Sequence, residues 1–357
     1  MSSHLIYPLT AALAVCASAN AGTILTKMLP PVPDPIGYAG AFAGVIGDQL
    51  LAGGGANFPD GVMPWDGGKK VWHDVLYALD LSSPEVGWKV VGCLPKPNGY
   101  GVSLSAREGV VLLGGGDAVR HFRDVLMLTL GVDGKPNYRK LPDLPEDMAQ
   151  MGGALVGRRI HVCGGINKAD ATEAMSAHWM LDLDALEKGW QSLPELPAAG
   201  RILATASALG DDFYFMAGSS LAADAAGKPV RTLLRDAWKF SDGQWSRIAD
   251  LPHVLVASGS PAPVAQNSIF LVSGDDGSQA GLARPADHKG FSKNVLRYDP
   301  GKDSWSSVGE IEVPPPVTVA VVPWKSEFVF FNGEVKPGVR TPQVFSFDPS
   351  PLNAAHE

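Results

Sequence analysis

The feature that most constrains the fold is an apolar strand that recurs six times and ends each time in a pair of small residues. The six copies read QLLAGGG, VVLLGGG, RIHVCGG, FYFMAGS, IFLVSGD and EFVFFNG. The second small residue is always a glycine, at Gly54, Gly115, Gly165, Gly218, Gly274 and Gly333. These glycines follow one another at intervals of 50 to 61 residues. A repeat of this period indicates one supersecondary unit that is stacked several times.

Each copy continues with a variable polar loop, a second strand, and a third strand that carries an aromatic residue six positions before an apolar one. The aromatic residues are Trp88, Tyr138, Trp190, Trp245 and Trp305. The sixth copy lacks this element, which reappears at the other end of the chain in residues 23–31. With a small-residue inner strand, each unit therefore has four antiparallel strands, and an N-terminal strand completes the last unit.

Six such units predict an all-β fold, a six-bladed β-propeller over residues 22–350 that is closed by the N-terminal strand. Closure removes the free sheet edge that would otherwise invite pairing. Diglycine breaks with a spaced aromatic residue resemble kelch repeats. The 41 glycines and 29 prolines suit many short strands joined by tight turns. We expect the glycines of the breaks to have positive φ, and the aromatic residues to pack between blades.

The ends of the chain differ from the repeats. Residues 1–21 hold an apolar run followed by small residues that fit a signal-peptidase site, although no Lys or Arg precedes the run. We interpret them as a secretory signal peptide, which predicts a periplasmic or secreted protein. Residues 351–357 form a C-terminal tail. No later stretch is long and apolar enough to span a membrane.

Composition excludes several classes of partner. The net charge of −8 and the pI near 5.5 argue against nucleic acid. Cys93 and Cys163 show no metal-ligand spacing, so we expect both to be buried thiols. The eight histidines include no HxH or HExxH pair, so no metal site is predicted. A propeller needs no partner to fold, and we expect a monomer.

Propeller geometry gathers a cationic set of loop residues on one face. The loops between the second and third strands, and those that enter the next blade, share that face around the central channel. They carry Asn57, Phe58, Lys69, Lys70, Arg201, Arg284, His288, Glu334, Lys336 and Arg340. A concave face of this kind is typical of a small-anion site. Each charge taken alone is also compatible with an ordinary solvated loop position.

One of these loops carries a specific resemblance. Residues 332–341, NGEVKPGVRT, resemble the N-G-E-x-K-P-G-x-R-T loop of bacterial N-acetylneuraminate epimerases, the sialic acid mutarotases. Residues 37–44, GYAGAFAG, and 53–58, GGGANF, resemble segments that follow that loop in the family. Residues 200–208, GRILATASA, resemble a segment early in its chain. All six blades correspond, but in rotated order, so the chain resembles a cyclically permuted branch of the family.

The resemblance implies an isomerase that interconverts the anomers of a keto-sugar acid without metal or organic cofactor. It implies Glu334 as the general base. We assign Arg340 to the substrate carboxylate, because a guanidinium matches two oxygens at once, with Arg201 as an alternative or second clamp. Lys336 or a water would supply the acid. The remaining residues expected to contact N-acetylneuraminate are Asn57, Phe58, Lys70 and Asn332.

Other functions stay open at this point. A kelch propeller can bind glycan or protein without catalysis, and fold alone decides nothing here. The blade-five loop, residues 275–294, is shorter than the family's insertion, so another acidic or N-acylated sugar is an alternative substrate. A sialidase is disfavoured because its Asp-box motif is absent. A copper-dependent, galactose-oxidase-like enzyme is disfavoured because His121, His161 and His178 are scattered.

Overall fold

The computed structural model describes residues 22–352, and its architecture is that of a β-propeller. The predicted signal peptide and residues 353–357 of the predicted tail lie outside the described residues. The all-β prediction is confirmed: short 3₁₀ helices lie only in loops, at Pro64–Asp66, Pro84–Val86, Leu186–Lys188 and Pro285–Asp287. No helix in the described part of the chain is long and apolar enough to cross a membrane.

The first three blades are antiparallel sheets of four strands that are paired in chain order. Blade one contains Phe42–Ile46, Gln49–Gly53, Val75–Asp80 and Lys89–Cys93. Blade two contains Val102–Ala106, Gly109–Leu113, Val125–Leu130 and Pro136–Lys140. Blade three contains Gly152–Val156, Arg159–Cys163, His178–Asp182 and Gln191–Leu193. Each blade therefore uses one copy of the sequence repeat.

The next three sheets follow the same plan, and the N-terminal segment joins two of them. Blade four contains Thr205–Leu209, Asp212–Met216, Ala237–Ser241 and Gln244–Ile248. Blade five contains Val264–Ala265, Ser268–Val272, Asn294–Asp299 and Ser304–Ile311, with Thr23–Ile24 added in parallel. Blade six contains Ala320–Trp324, Glu327–Phe331, Val344–Phe347 and, as its outer strand, Lys27–Leu29. The N-terminal segment thus contributes to blade five as well as to blade six.

Three smaller hairpin elements extend from the blades on one face. The blade-one hairpin pairs Ala56–Asn57 with Val71–Trp72. The blade-four hairpin pairs Ser219–Ala223 with Pro229–Leu233 and is joined by Arg201–Ile202. The blade-six hairpin pairs Glu334–Lys336 with Val339–Arg340. These elements occupy the variable loops that follow the glycine breaks.

A ring of backbone hydrogen bonds surrounds the central channel. In each case the N–H of one residue donates to the carbonyl of its counterpart in the preceding blade, over 2.7 to 3.0 Å, and the sixth bond returns to the first blade. The residues of this ring are Gly40, Tyr100, Gln150, Leu203, Ala257 and Thr318. All six have φ between 51° and 65°, in the left-handed region that residues other than glycine rarely adopt. Closing the ring of bonds compensates this local backbone strain.

The hydrophobic core is divided among the spaces between adjacent blades. Six clusters of buried side chains each combine residues from two neighbouring blades, including the contact of blade six with blade one. The glycines of the breaks have positive φ, as predicted. At Gly54 a Cβ would lie 2.5 Å from the carbonyl oxygen of Asn98, so the close approach of backbone also requires glycine there.

The repeated aromatic residues link neighbouring blades. The indole N–H of Trp88 donates to the Pro30 carbonyl, 2.8 Å away, and the indoles of Trp190, Trp245 and Trp305 make the equivalent bond to a carbonyl of the blade before them. In the same manner, the Tyr138 hydroxyl donates a hydrogen bond to the backbone carbonyl of Cys93. The prediction that these residues pack between blades is confirmed, and their polar atoms also hold the blades together.

The two cysteines of the described residues differ in environment. Cys163 is buried, as predicted, and burial raises the pKa of its thiol. Cys93 is exposed, so the prediction of a buried thiol there was wrong. It lies at the end of the outer strand of blade one, where alternate side chains face solvent.

A pair of buried histidines lies between blades three and four. His161 Nδ1 and His178 Nε2 are 3.0 Å apart, and both rings pack against Phe213 and Phe240. Burial lowers the pKa of His161 to about 4 and that of His178 to about 3. Both rings are therefore neutral in the folded protein at neutral pH.

The histidine pair makes the fold sensitive to acid. Below about pH 6.5 the unfolded chain binds protons at both positions while the folded protein does not, so the free energy of unfolding falls as the pH falls from 6.5 towards 4. The expected loss at pH 5 is about 2 kcal/mol for each histidine. Urea unfolding at pH 7 and pH 5 measures it. We expect His161→Leu/His178→Leu to lose less stability between these pH values than the unsubstituted protein, and His253→Leu to lose as much. An equal loss in the double variant would contradict this account.

Candidate active site

A cavity of about 360 Å³ opens on the face that carries the hairpins. Four residues of the hydrogen-bonded ring line it: Tyr100, Gln150, Leu203 and Thr318. Its charged and aromatic lining consists of Lys70, Trp72, Asp117, His121, Arg231, Glu334 and Arg340. The cavity therefore lies at the mouth of the central channel, where loops from several blades converge.

An ion pair on the blade-six hairpin forms part of the cavity wall. Glu334 and Arg340 are cross-strand partners, and Gly338, with φ of 78°, turns the chain between them. The Glu334 Oε2 and Arg340 Nη1 atoms are 2.7 Å apart. Spacing and turn residues in NGEVKPGVRT thus bring the carboxylate and the guanidinium together, because opposed residues of a hairpin share one face.

Arg340 is almost fully buried and makes contacts on every side. Its Nε donates to the Ala56 carbonyl over 3.3 Å, and its Nη2 donates to the Tyr100 hydroxyl over 3.5 Å. Its guanidinium lies 4.7 Å from the centre of the Phe58 ring, which is a cation–π contact. The guanidinium is held in one orientation towards Glu334.

The environment of Glu334 shifts the pKa of its carboxyl group. Burial raises the pKa of this carboxyl, while the charges of Arg340, Lys70 and His288 act in the opposite direction. The net direction is upward. A carboxylate with a raised pKa is a stronger base than an exposed one, and it is fixed here by a neighbouring cation.

Lys70 reaches the cavity from the blade-one hairpin, as predicted. Its Nζ lies 5.0 Å from the centre of the Tyr100 ring and 5.4 Å from that of Trp72. No ion pair of Lys70 occurs within residues 22–352. Its charge is therefore available to the cavity and to Glu334.

Three residues expected to contact a ligand instead support the wall. Asn57 is buried, donating to the Gly37 carbonyl and bonding His73 Nε2 over 2.8 Å. Phe58 lies beneath the guanidinium of Arg340. Asn332 is fully buried at positive φ, and its side-chain amide faces Gln343. None of the three lines the cavity.

Arg201 also departs from its predicted position. Its side chain is 1 % exposed and forms two bonds to the Asp236 carboxylate, of 2.7 and 3.0 Å, as well as bonds to the Ala199 and Ala217 carbonyls. The prediction of a substrate clamp at Arg201 is therefore replaced by a structural role. The sequence pattern showed an arginine near the site face but not the aspartate that binds it.

The remaining predicted cations lie outside the cavity lining. Lys336 is on the blade-six hairpin two residues after Glu334, but it does not line the cavity. Arg284 forms an exposed ion pair with Asp287. His288 is buried beside Phe291, and its charge influences Glu334. The predicted cationic face therefore divides into lining, supporting and distant residues.

Several lining residues were not predicted from the sequence. The hydrogen-bonded ring brings Tyr100, Gln150 and Thr318 to the cavity, and no local sequence motif predicts that ring. His121 enters from blade two, with Nδ1 3.1 Å from the Ile166 carbonyl. Arg231 comes from the blade-four hairpin. Three lining side chains have buried atoms without a hydrogen-bond partner in the structure: the Trp72 Nε1, the Gln150 Oε1 and the Arg340 Nη1, which is ion-paired with Glu334 without forming a hydrogen bond.

Among residues 22–352, no group of three or more His, Cys, Asp or Glu side chains is placed to hold a metal ion. The polar lining of the cavity instead combines carboxylate, guanidinium, ammonium, imidazole, hydroxyl and amide groups.

Comparison with known proteins defines the class first. The solved structure of YjhT superimposes with a TM-score of 0.65 over 89 % of this chain and 96 % of that chain, at 17 % sequence identity. A kelch domain-containing protein of Vibrio cholerae is 22 % identical over 232 residues, 57 % of this chain and 62 % of that protein. The chain is a kelch-like β-propeller. No protein-family profile matches it.

The sequence relatives narrow this class to proteins of one name. The N-acetylneuraminate epimerase of Vibrio cholerae is 27 % identical over 237 residues, 58 % of this chain and 59 % of that protein. The N-acetylneuraminate epimerase of Yersinia enterocolitica is 45 % identical over 87 residues, 22 % of this chain and 21 % of that protein. The matched segments thus span less than two thirds of these relatives. The chain is related to proteins named N-acetylneuraminate epimerase, as the 332–341 motif predicted, whereas the cyclic permutation stays a prediction.

Proposed function

We propose that this protein is a mutarotase that interconverts the α- and β-anomers of N-acetylneuraminate. The observation that carries the proposal is the buried Glu334–Arg340 pair, 2.7 Å apart, in the wall of a cavity that also presents Lys70 and Tyr100. Support for the substrate comes from relatives that are named N-acetylneuraminate epimerase. The reaction as proposed is an isomerisation that uses side chains alone.

Ring opening needs one proton removed and one delivered. The Glu334 carboxylate takes the proton of the anomeric hydroxyl, the bond from the anomeric carbon to the ring oxygen breaks, and a proton is donated to that oxygen. The free ketone rotates and closes on its other face by the reverse steps. A positioned general base contributes on the order of 100-fold or more to such a step, and burial raises the pKa of Glu334 in the direction that strengthens it.

The position of Arg340 suits it to hold this base. Because its guanidinium is stacked on Phe58 and bonded to Ala56, it orients the Glu334 carboxylate and stabilises its charge. It also donates to the Tyr100 hydroxyl oxygen. That bond leaves the hydroxyl proton of Tyr100 free, so we assign the proton donation to Tyr100 in place of Lys336, which does not line the cavity.

The uncharged lining suits a polyhydroxylated, N-acylated sugar. The Trp72 indole N–H is a donor without a partner, and the Gln150 side-chain carbonyl is an acceptor without one. Both are lining groups, so a bound sugar would satisfy them with its hydroxyl or amide groups. Unpaired groups of this kind favour a ligand that supplies complementary polar atoms.

The test is one-dimensional proton NMR of N-acetylneuraminate released as its α-anomer. A sub-stoichiometric amount of purified protein is expected to speed its equilibration with the β-anomer beyond the rate in buffer. No acceleration would refute the sialic acid assignment. Saturation-transfer NMR on the same samples then separates a binding-only propeller, which would bind sugar without turnover, from a mutarotase that acts on another acidic sugar.

A further inference from the structure

The guanidinium nearest the proposed base is already ion-paired with that base. Arg340 makes its contacts with Glu334, the Ala56 carbonyl and the Tyr100 hydroxyl, and only 3 % of its side chain is exposed. A substrate carboxylate that used Arg340 would compete with Glu334 for the same cation and would raise the cost of keeping both anions together. A different cation is therefore better placed to bind it.

Arg231 is the second arginine in the cavity lining. It lies on the blade-four hairpin directly opposite Leu221, and it shares a strand face with Leu233. Leu221 is buried against Ile166 and Ile202, and Leu233 packs near Leu203 of the hydrogen-bonded ring. This hairpin face is therefore anchored on the protein by leucines on either side, which directs Arg231 to the cavity.

The charge of Arg231 has no carboxylate partner within the described part of the chain. The other lining carboxylates are engaged: Glu334 pairs with Arg340, and Asp117 accepts the backbone N–H groups of Val119 and Arg120. Lys70 is the other unpaired lining cation, but it lies over aromatic rings and offers a single ammonium. A guanidinium can bind both oxygens of a carboxylate in one plane, which an ammonium cannot.

We infer that Arg231 is the residue that binds the carboxylate of the substrate, and that Arg340 orients Glu334 and stabilises its charge. The inference rests on the proposed function for the identity of the ligand. It assigns a specificity-determining role to the blade-four hairpin, since an uncharged sugar would gain nothing from Arg231. Arg231 and Lys70 would then hold the carboxylate of the sugar while Glu334 acts at the anomeric hydroxyl.

The test compares an acid with its neutral ester. Binding of N-acetylneuraminate and of its methyl ester is measured by isothermal titration calorimetry for the unsubstituted protein and for Arg231→Gln. We expect the variant to bind the acid about 10- to 100-fold more weakly, as for loss of a hydrogen bond to a charged group, and to bind the ester within about twofold of the unsubstituted protein. Arg235→Gln is the matched control, because it removes the same charge from an arginine next to the hairpin that does not line the cavity.

Other outcomes overturn the inference. Equal acid binding by Arg231→Gln would do so, as would an equal loss for acid and ester in a variant whose thermal unfolding is unchanged, because Arg231 would then not distinguish the carboxylate from its ester. An unsubstituted protein that binds neither ligand would also exclude it. If the acid binds in an Arg231-dependent way but the anomers equilibrate no faster than in buffer, the proposed mutarotase function fails while the inference stands.

Discussion

Glu334→Gln is expected to reduce the acceleration of anomer exchange by about 100-fold or more. The amide has nearly the shape of the carboxylate but cannot take a proton from the anomeric hydroxyl. It can still accept a hydrogen bond from Arg340, which lies 2.7 Å from Glu334 in the ion pair. Sugar binding should therefore survive while turnover is lost. The measurement is the rate of α- to β-anomer exchange by proton NMR, with binding followed by calorimetry.

Glu85→Gln provides the control for the loss of a glutamate charge, because Glu85 lies exposed in a 3₁₀ helix between strands of blade one. It should exchange anomers at the unsubstituted rate. Thermal unfolding of both variants verifies that they are folded. A Glu334→Gln protein that is folded and retains full activity would remove Glu334 from the mechanism and assign the base to another group of the cavity.

Arg340→Gln is expected to move the pH dependence of the reaction. The Arg340 charge holds down a Glu334 pKa that burial raises. Without it the pKa of Glu334 rises further, so the active carboxylate is lost at a higher pH as the solution is acidified. We expect the acid limb of the rate profile to shift upward by about one to three pH units, the range for loss of an adjacent opposite charge.

The same substitution removes the stack on Phe58 and the bond to Ala56, so the hairpin should also loosen. Arg158→Gln is the control, since Arg158 pairs with Glu108 and Asp184 away from the cavity. Its rate profile should keep the unsubstituted acid limb. An Arg340→Gln protein with an unshifted acid limb and a lower rate would show that Arg340 acts on the substrate and not through Glu334.

Much of the fold follows from local sequence. The period of the glycine breaks and the spaced aromatic residues predicted four-stranded units, the packing of residues such as Trp190 between blades, and an N-terminal strand beside Val344–Phe347. These features depend on neighbouring residues and on turn geometry, which a sequence displays directly. The joining of Thr23–Ile24 to blade five was not predicted, because a two-residue parallel pairing leaves no pattern of its own. Export, the monomeric state and the permutation stay predictions.

The site was predictable only where its residues are close in sequence. Glu334 and Arg340 face each other because a hairpin connects them, and Lys70 is carried by a second hairpin. Arg201 could not be assigned correctly, because its partner Asp236 lies 35 residues away and the pairing depends on how the strands are placed. Asn57 and Phe58 could not be placed correctly for a similar reason, since Asn57 bonds to the Gly37 carbonyl 20 residues away and Arg340 of blade six covers the Phe58 ring.

By itself, the sequence determined the repeat, the propeller and the hairpin that unites a carboxylate with a guanidinium, since these depend on short-range periodicity and turn residues. The tertiary structure alone decided which charges face the cavity. Arg231 and Tyr100 line it, whereas Arg201 is buried in an ion pair. Burial and charge pairing depend on contacts between residues far apart in the chain, which short-range sequence patterns do not display.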